Sequence, residues 1–186
     1  MTQLWQANAS RRTLTARAKL YADIRQFFAE RGVLEVDTPI VVRETATEPH
    51  LHSFKVSSPD GEERYLHTSP EFAMKRLLAD GAGSIYQICK VFRAEEKGQH
   101  HQPEFTMLEW YRVGYSHWEL IDEVEMLLQR LAAYPRFTRT RYADAFFKFT
   151  NLDAHQVSAA ELKRRAEQLQ ISLPNLSNED RAGWMD

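Results

Sequence analysis

Cysteine is nearly absent: Cys89 is the single one in 186 residues. One thiol excludes an intrachain disulfide and fits a reducing compartment. Long apolar runs are missing as well. None approaches the ~20 residues that a membrane span needs, and Met1–Ser10 has no signal-peptide core. The expectation is a cytoplasmic protein with no membrane partner. An excess of charge of one sign is also lacking. Lys and Arg number 24 against 26 Asp and Glu, for a formal net charge of −2, so composition implies no basic face and nothing announces nucleic acid. There is no internal repeat and no low-complexity tract. The length allows one domain with a real core.

What the chain does have is concentrated in Val91–Arg112, VFRAEEKGQHHQPEFTMLEWYR. Ahead of it, Ser84–Phe92 (SIYQICKVF) is short, apolar and β-prone. After it, Phe105, Met107, Glu109 and Tyr111 alternate with Thr106, Leu108, Trp110 and Arg112. Period-two alternation predicts a strand with two distinct faces. Between the two lies a polar segment, Ala94–Pro103, with Gly98 and Pro103 as turn markers. The pattern predicts two antiparallel strands joined by a long charged loop, and loops of that length are often functional. On this reading Glu109 and Tyr111 share a face with Phe105 and Met107. A carboxylate and a phenol on an apolar face could recognise a buried cation, and Arg93 could clamp a phosphate with its two-pronged donor geometry. An amphipathic hairpin with solvated charges explains the same pattern equally well.

Elsewhere the signals are mostly structural. From about Thr13, Leu20, Ile24, Phe27 and Phe28 recur at helical spacing, and Gly32 is a C-terminal cap signal. Val33–Val36 reads as a strand stopped by Asp37-Thr38-Pro39. Tyr65-Leu66-His67 reads as another. Thr68 and Glu71 have capping-box spacing with Pro70 in the first turn, which predicts a helix over 70–79 with Lys75 and Arg76 on its solvated face. Ser116 with Glu119 opens a further helix whose stripe is Trp118, Ile121, Val124, Leu128 and Leu131. Phe137, Tyr142, Phe146, Phe147 and Phe149 read as a core cluster, since no basic residues interleave them for base stacking. Ser158 with Glu161, and Ser177 with Asp180, open two more helices, the last of which runs into the final residue without a cap. His50, His52, His100, His101 and Cys89 match no standard zinc spacing and read as loop residues.

FRAEE, a loop, and HQPEFTMLEWY together resemble motif 2 of the class II aminoacyl-tRNA synthetases in its lysyl form, where the usual text is FRNE, a loop, then HNPEFTMLE. Ala94 and Gln102 each stand where that family usually has Asn. The helix, Gly, short strand and Pro of about 17–40 resemble motif 1, which forms the dimer interface of the family. TSPEFAMKRLL resembles the segment that precedes motif 2. The resemblance implies an α/β (α+β) catalytic domain, an antiparallel sheet flanked by helices. A flexible arm would cover 1–12 and the N-terminal portion of that domain 13–186, with motif 2 at about 88–112. The third motif, a Gly-rich segment whose Arg holds the ATP γ-phosphate, does not occur in these residues. The chain is therefore expected to continue, and this stretch alone to be inactive.

The same resemblance nominates residues. Arg93 would grip the α-phosphate of ATP and Glu95 read the adenine amino group. Ala94 and Gln102 would lie near the nucleotide, and Phe105 would stack on the base. Ser69, Pro70 and Glu71, with Glu109 and Tyr111, would hold the amino-acid substrate, Glu71 neutralising an ammonium. Mg²⁺ is expected with the nucleotide, its ligands beyond this chain. With motif 1 this close to the N-terminus, no anticodon-binding domain is expected ahead of it. That resembles the stand-alone lysyl-tRNA-synthetase-like ligases that modify bacterial elongation factor P. The implied reaction makes an adenylate from (R)-β-lysine, or lysine, and passes the acyl group to a lysine ε-amine of elongation factor P. A homodimer is implied, and transfer RNA is not the acceptor. Two other readings stay open: a lysyl-type tRNA synthetase core, and a non-catalytic synthetase-like binding paralogue.

Overall fold

The structure is a computed structural model that describes residues 7–48, 51–94, 98–99, 101–132, 134–171 and 176–185. The chain divides into two compact units, residues 1–136 and 137–186. In the first unit, helix α1 spans Arg11–Ala29. It opens on Ser10, whose hydroxyl accepts the Thr13 N–H at 3.1 Å, so Arg11 and Arg12 are helical rather than part of an arm. Its apolar stripe buries Ile24, Phe27 and Phe28. The chain then reverses at Gly32, whose φ of +64° falls where side chains with a Cβ are strained.

Strand β1, Leu34–Glu35, pairs in parallel with β5, Ile85–Phe92, and β5 pairs antiparallel with β6, Glu104–Tyr111. The resulting order is β1-β5-β6, a mixed sheet. Its long hairpin is the one that alternation predicts. Eight residue pairs run from Ile85 opposite Tyr111 to Phe92 opposite Glu104. A second, antiparallel sheet of order β2-β4-β3 joins Val41–Val42, Glu63–Leu66 and Lys55–Ser57.

The main core lies on one face of the hairpin. Tyr86 stacks on Phe28 with ring centroids 4.5 Å apart, and Trp110 tilts against the same ring at 5.6 Å. Ile88, Leu108, Leu127 and Leu131 complete the cluster. Burying side chains of this size contributes roughly 1.5–3 kcal/mol each. Leu127 and Leu131 come from α3, His117–Ala132. That helix is rotated from the expected stripe: Trp118 and Ile121 are exposed, while Glu123 is 1 % exposed. A carboxylate displaces bulky apolar groups because Trp110 Nε1 donates to it at 3.1 Å and Arg112 lies 3.3 Å away.

Helix α2, Glu71–Ala79, starts one residue later than expected and without the Thr68–Glu71 box. Ser69 takes that role, its hydroxyl accepting the Glu71 N–H at 3.0 Å, and Lys75 donates to the Glu71 carboxylate. In the second unit, α4 is Tyr142–Thr150, α5 is Ala159–Gln168 and α6 is Arg181–Met185. The Ser158–Glu161 capping box is formed. For α6, Asp180 rather than Ser177 accepts a first-turn N–H, that of Gly183 at 2.9 Å. Ala154, Val157 and Leu162 are buried, and the Arg181 guanidinium donates to the Val157 and Ala154 carbonyls. The expected aromatic core is not one: Phe137, Tyr142, Phe147 and Phe149 are exposed, and only Phe146 of the five is half-buried. No helix among the described residues is long and apolar enough to cross a membrane.

Candidate functional site

Strand alternation gives the hairpin a second face, opposite the core. Cross-strand partners there are Ile85 and Tyr111, Gln87 and Glu109, Cys89 and Met107, Val91 and Phe105. At one end of this face the Glu109 carboxylate is held from two sides. The Ser69 hydroxyl donates to Oε2 at 2.6 Å and the Tyr111 hydroxyl to Oε1 at 2.7 Å. Bonds of this length to an ionised acceptor are about twice as strong as neutral ones. Ser69 bridges elements: the same hydroxyl that donates to Glu109 accepts the first N–H of α2. Pro70 is buried, and Ser69, Pro70 and Glu71 line a small cavity of about 50 Å³ with Thr45, His67 and Thr68.

Electrostatics single out two groups on this face. Burial, then the bond to Glu109, then the charges of Glu109 and Glu71 hold the Tyr111 hydroxyl protonated well above the usual phenol range. Burial likewise pushes the Cys89 thiol up to about 11, opposed by the Gln87 amide and assisted by Glu109 and Asp37. Glu109 and Glu71 thus act on Tyr111, and Glu109 and Asp37 on Cys89, so this face carries negative charge that favours a cation over an anion.

The loop end of the hairpin is different. Arg93 N–H donates to the Pro103 carbonyl at 2.9 Å, which closes the ladder, and the Arg93 guanidinium lies 5.2 Å from the centre of the Phe105 ring. Ala94 is half-buried and its N–H donates to the His52 carbonyl at 2.8 Å. Arg93, Gln102 and Phe105 line an open cavity of about 880 Å³ together with His101, Lys90, Arg17, Tyr21 and Arg25. Four cations and two aromatic rings suit a phosphate-bearing, flat ligand. Some of that charge is answered locally, since Lys90 pairs with Glu104 at 2.8 Å and Arg25 with Glu35 at 3.0 Å. Arg17 donates to the Thr106 hydroxyl at 2.6 Å. The α1 contribution was not anticipated, although Arg17, Tyr21 and Arg25 stand four apart and so share one helix face.

Of the nominated residues, Ser69, Glu109 and Tyr111 are joined directly, with Pro70 and Glu71 beside them. Arg93, Gln102 and Phe105 gather in the larger cavity, and Ala94 anchors the loop by its backbone. Glu95 lies outside the described residues, as do His50 and His100. Among the described residues no three His, Cys, Asp or Glu side chains are placed to hold a metal ion.

Comparison with known proteins adds an independent line. A family model described as tRNA synthetases class II (D, K and N) matches residues 1–184. A protein named Elongation factor P--(R)-beta-lysine ligase from Vibrio vulnificus (strain YJ016) is 50% identical over 182 residues, covering 95% of this chain and 56% of that protein. Proteins of the same name from Yersinia enterocolitica (serotype O:8 / biotype 1B) and Erwinia tasmaniensis are 45% and 46% identical, over 97% and 90% of this chain and 57% and 53% of their own lengths. The chain thus spans about half the length of the curated relatives it matches.

Proposed function

Because the chain belongs to the class II tRNA synthetase family of the D, K and N type, we propose that it is the N-terminal part of a ligase. That ligase would activate (R)-β-lysine with ATP and pass it to a lysine of elongation factor P. The observation that carries the substrate reading is the Glu109 carboxylate, fixed between Ser69 and Tyr111 beside Glu71. Such a carboxylate keeps lone pairs for an ammonium group, and a diamino acid brings two ammonium groups to a site with two carboxylates. The names of the relatives supply the acceptor, and the family supplies the chemistry.

In the proposed reaction an oxygen of the substrate carboxylate attacks the α-phosphorus of ATP. One P–O bond forms, the bond to the departing pyrophosphate breaks, and an aminoacyl-adenylate results. The ε-amine of the acceptor lysine then attacks the acyl carbon, an amide forms, and AMP leaves. Both steps need alignment and charge stabilisation more than a protein nucleophile. Arg93 is assigned to the α-phosphate, where its planar fork holds two oxygens at once. Phe105 is assigned to the face of the adenine, Gln102 to the nucleotide, and Glu95 to the adenine amino group. Glu71, Glu109 and Tyr111, with Ser69 and Pro70, orient the diamino acid so that its carboxylate faces the phosphate. Mg²⁺ would accompany ATP and screen its charge; the described residues present no ligand set for it, and no step here depends on one. Dimerisation through the α1–β1 region is part of the same proposal.

The test uses the full-length protein with ATP, Mg²⁺ and either α-lysine or (R)-β-lysine. Elongation factor P and lysine tRNA are offered side by side. Label on elongation factor P, strongest with β-lysine, is expected. Label on tRNA would make the protein a synthetase, and neither product with no pyrophosphate exchange would refute activation altogether. Arg93→Ala should abolish pyrophosphate exchange. Arg93→Lys should not rescue it, because a point charge cannot make the two-pronged contact.

A further inference from the structure

One polar side chain on the Glu109 face has no role in the reading above. Gln87 stands directly opposite Glu109 in the β5–β6 register and is 1 % exposed. Its amide makes no hydrogen bond of good geometry among the described residues, and beside it on the same strand is the Cys89 thiol, a weak donor. Its surroundings explain why. Ile85 and Met107 offer no donor. The hydroxyl protons of Ser69 and Tyr111 are committed to the two oxygens of Glu109. An amide removed from water and left unpaired is costly, and a leucine of similar size would remove that cost. A thiol is a weak donor, so most of that cost remains for a further partner to offset.

The setting also defines the chemistry of that visitor. Glu109 and Asp37 act on the neighbouring Cys89 thiol, which the Gln87 amide also reaches, and Glu71 with Glu109 acts on Tyr111. Gln87 is thus an uncharged acceptor set among carboxylates, beside the one that two hydroxyls hold in place. We infer that Gln87 is a specificity-determining residue whose amide oxygen accepts a hydrogen bond from the ammonium group that Glu109 neutralises. The inference rests on the diamino-acid reading of this site. The carboxylate supplies the charge and the amide supplies direction: an ammonium has three N–H bonds to place, and a neutral acceptor takes one without adding a further negative charge.

The experiment compares the full-length wild type with Gln87→Leu and Gln87→Glu. Steady-state pyrophosphate exchange is measured with lysine, with (R)-β-lysine and with varied ATP, alongside thermal unfolding without substrates. Losing one hydrogen bond to a charged group should raise the KM of Gln87→Leu for the diamino acid about 10- to 100-fold. Its KM for ATP should be unchanged and its Tm equal to or above that of wild type. Gln87→Glu keeps an acceptor oxygen and should recover most of the affinity. A diamino-acid KM unchanged in Gln87→Leu overturns the inference. So does a lowered Tm with both KM values raised together, which would make the amide a structural group. Wild-type protein inactive with every diamino acid would instead sink the underlying substrate reading.

Discussion

Glu123 tests how the hairpin is anchored. Its carboxylate is 1 % exposed on α3, accepts the Trp110 indole N–H at 3.1 Å and lies 3.3 Å from the Arg112 guanidinium, whose side chain is itself 9% exposed. Removing one partner of a buried pair costs about 3–5 kcal/mol, because the other charge is stranded. Arg112 is not wholly stranded here: it still donates to the Tyr115 hydroxyl at 2.7 Å and lies over that ring at 4.4 Å. The unpaired Trp110 N–H adds roughly 1 kcal/mol at the low end of its range. Glu123→Leu should therefore cost about 4 kcal/mol. Glu123→Gln, which keeps an acceptor for Trp110, should cost about half as much. The double variant Arg112→Met/Glu123→Leu removes both charges and should return to within about 2 kcal/mol of wild type, since replacing an entire buried pair by apolar groups is near neutral. The assay is urea unfolding of the full-length variants, with the coupling taken from the double-mutant cycle. Additive single effects, or a double variant worse than Glu123→Leu, would refute the reasoning.

Two further outcomes follow from single positions. Cys89, its thiol pushed up to about 11 mainly by burial, should react slowly with a disulfide reagent at pH 8 when folded and quickly when unfolded. The sign for stability is fixed by the same shift: the contribution is complete below the unfolded thiol pKa of about 8.5 and is lost as pH rises through about 11. Cys89→Ala should flatten that decline, and rapid labelling of the folded wild type at pH 8 would contradict it. Ser158→Ala removes the hydroxyl that accepts the Glu161 N–H at 3.3 Å and should cost about 1 kcal/mol. Ser158→Asp should be close to neutral in the same unfolding measurement.

The parts of the fold legible in the sequence were those with one strong local period. Alternation over Phe105–Arg112 placed the right residues on each face of β6, and Ile24, Phe27 and Phe28 gave the buried stripe of α1, although Leu20 of the same period is exposed. Local rules failed where tertiary partners decided. Trp118 and Ile121 look like better core residues than Glu123, yet Trp110 and Arg112 arrive from another element and satisfy the carboxylate, so α3 turns that side inward. Thr68 has the capping spacing, but Ser69 is the residue that can reach both the helix N-terminus and Glu109. The parallel pairing of β1 with β5 has no signature in a two-residue strand. At the site, Glu109 and Tyr111 stood out by strand alternation and Ser69 through the family resemblance, and only the structure joins them. Gln87 was accessible by the same alternation that exposed Glu109, since the two strands share one face, but register had to be known before the two could be set opposite each other. Arg17, Tyr21 and Arg25 were visible as one helix face without any indication of what that face looks at.

The two faces of β6 depend on each other. Leu108 and Trp110 are fixed against Phe28 and Glu123, so the strand cannot slide along β5 without dragging an indole out of the core. A slip of one residue would also send Glu109 and Tyr111 to the helical side and bring Leu108 and Trp110 to the other. The packed face therefore selects the register, and the register sets Glu109 opposite Gln87 and within 2.6 Å of a serine on another element. Recognition of a small charged substrate needs positions held to about 0.5 Å. Here that precision originates in apolar contacts and one buried ion pair that no substrate touches. Weakening Glu123 should accordingly loosen the Ser69–Glu109–Tyr111 arrangement before the protein unfolds, and the KM for the diamino acid should rise in Glu123→Gln while the KM for ATP moves less. A Glu123→Gln enzyme that is destabilised yet binds the diamino acid as wild type does would uncouple the two faces and end this account of how the site is held.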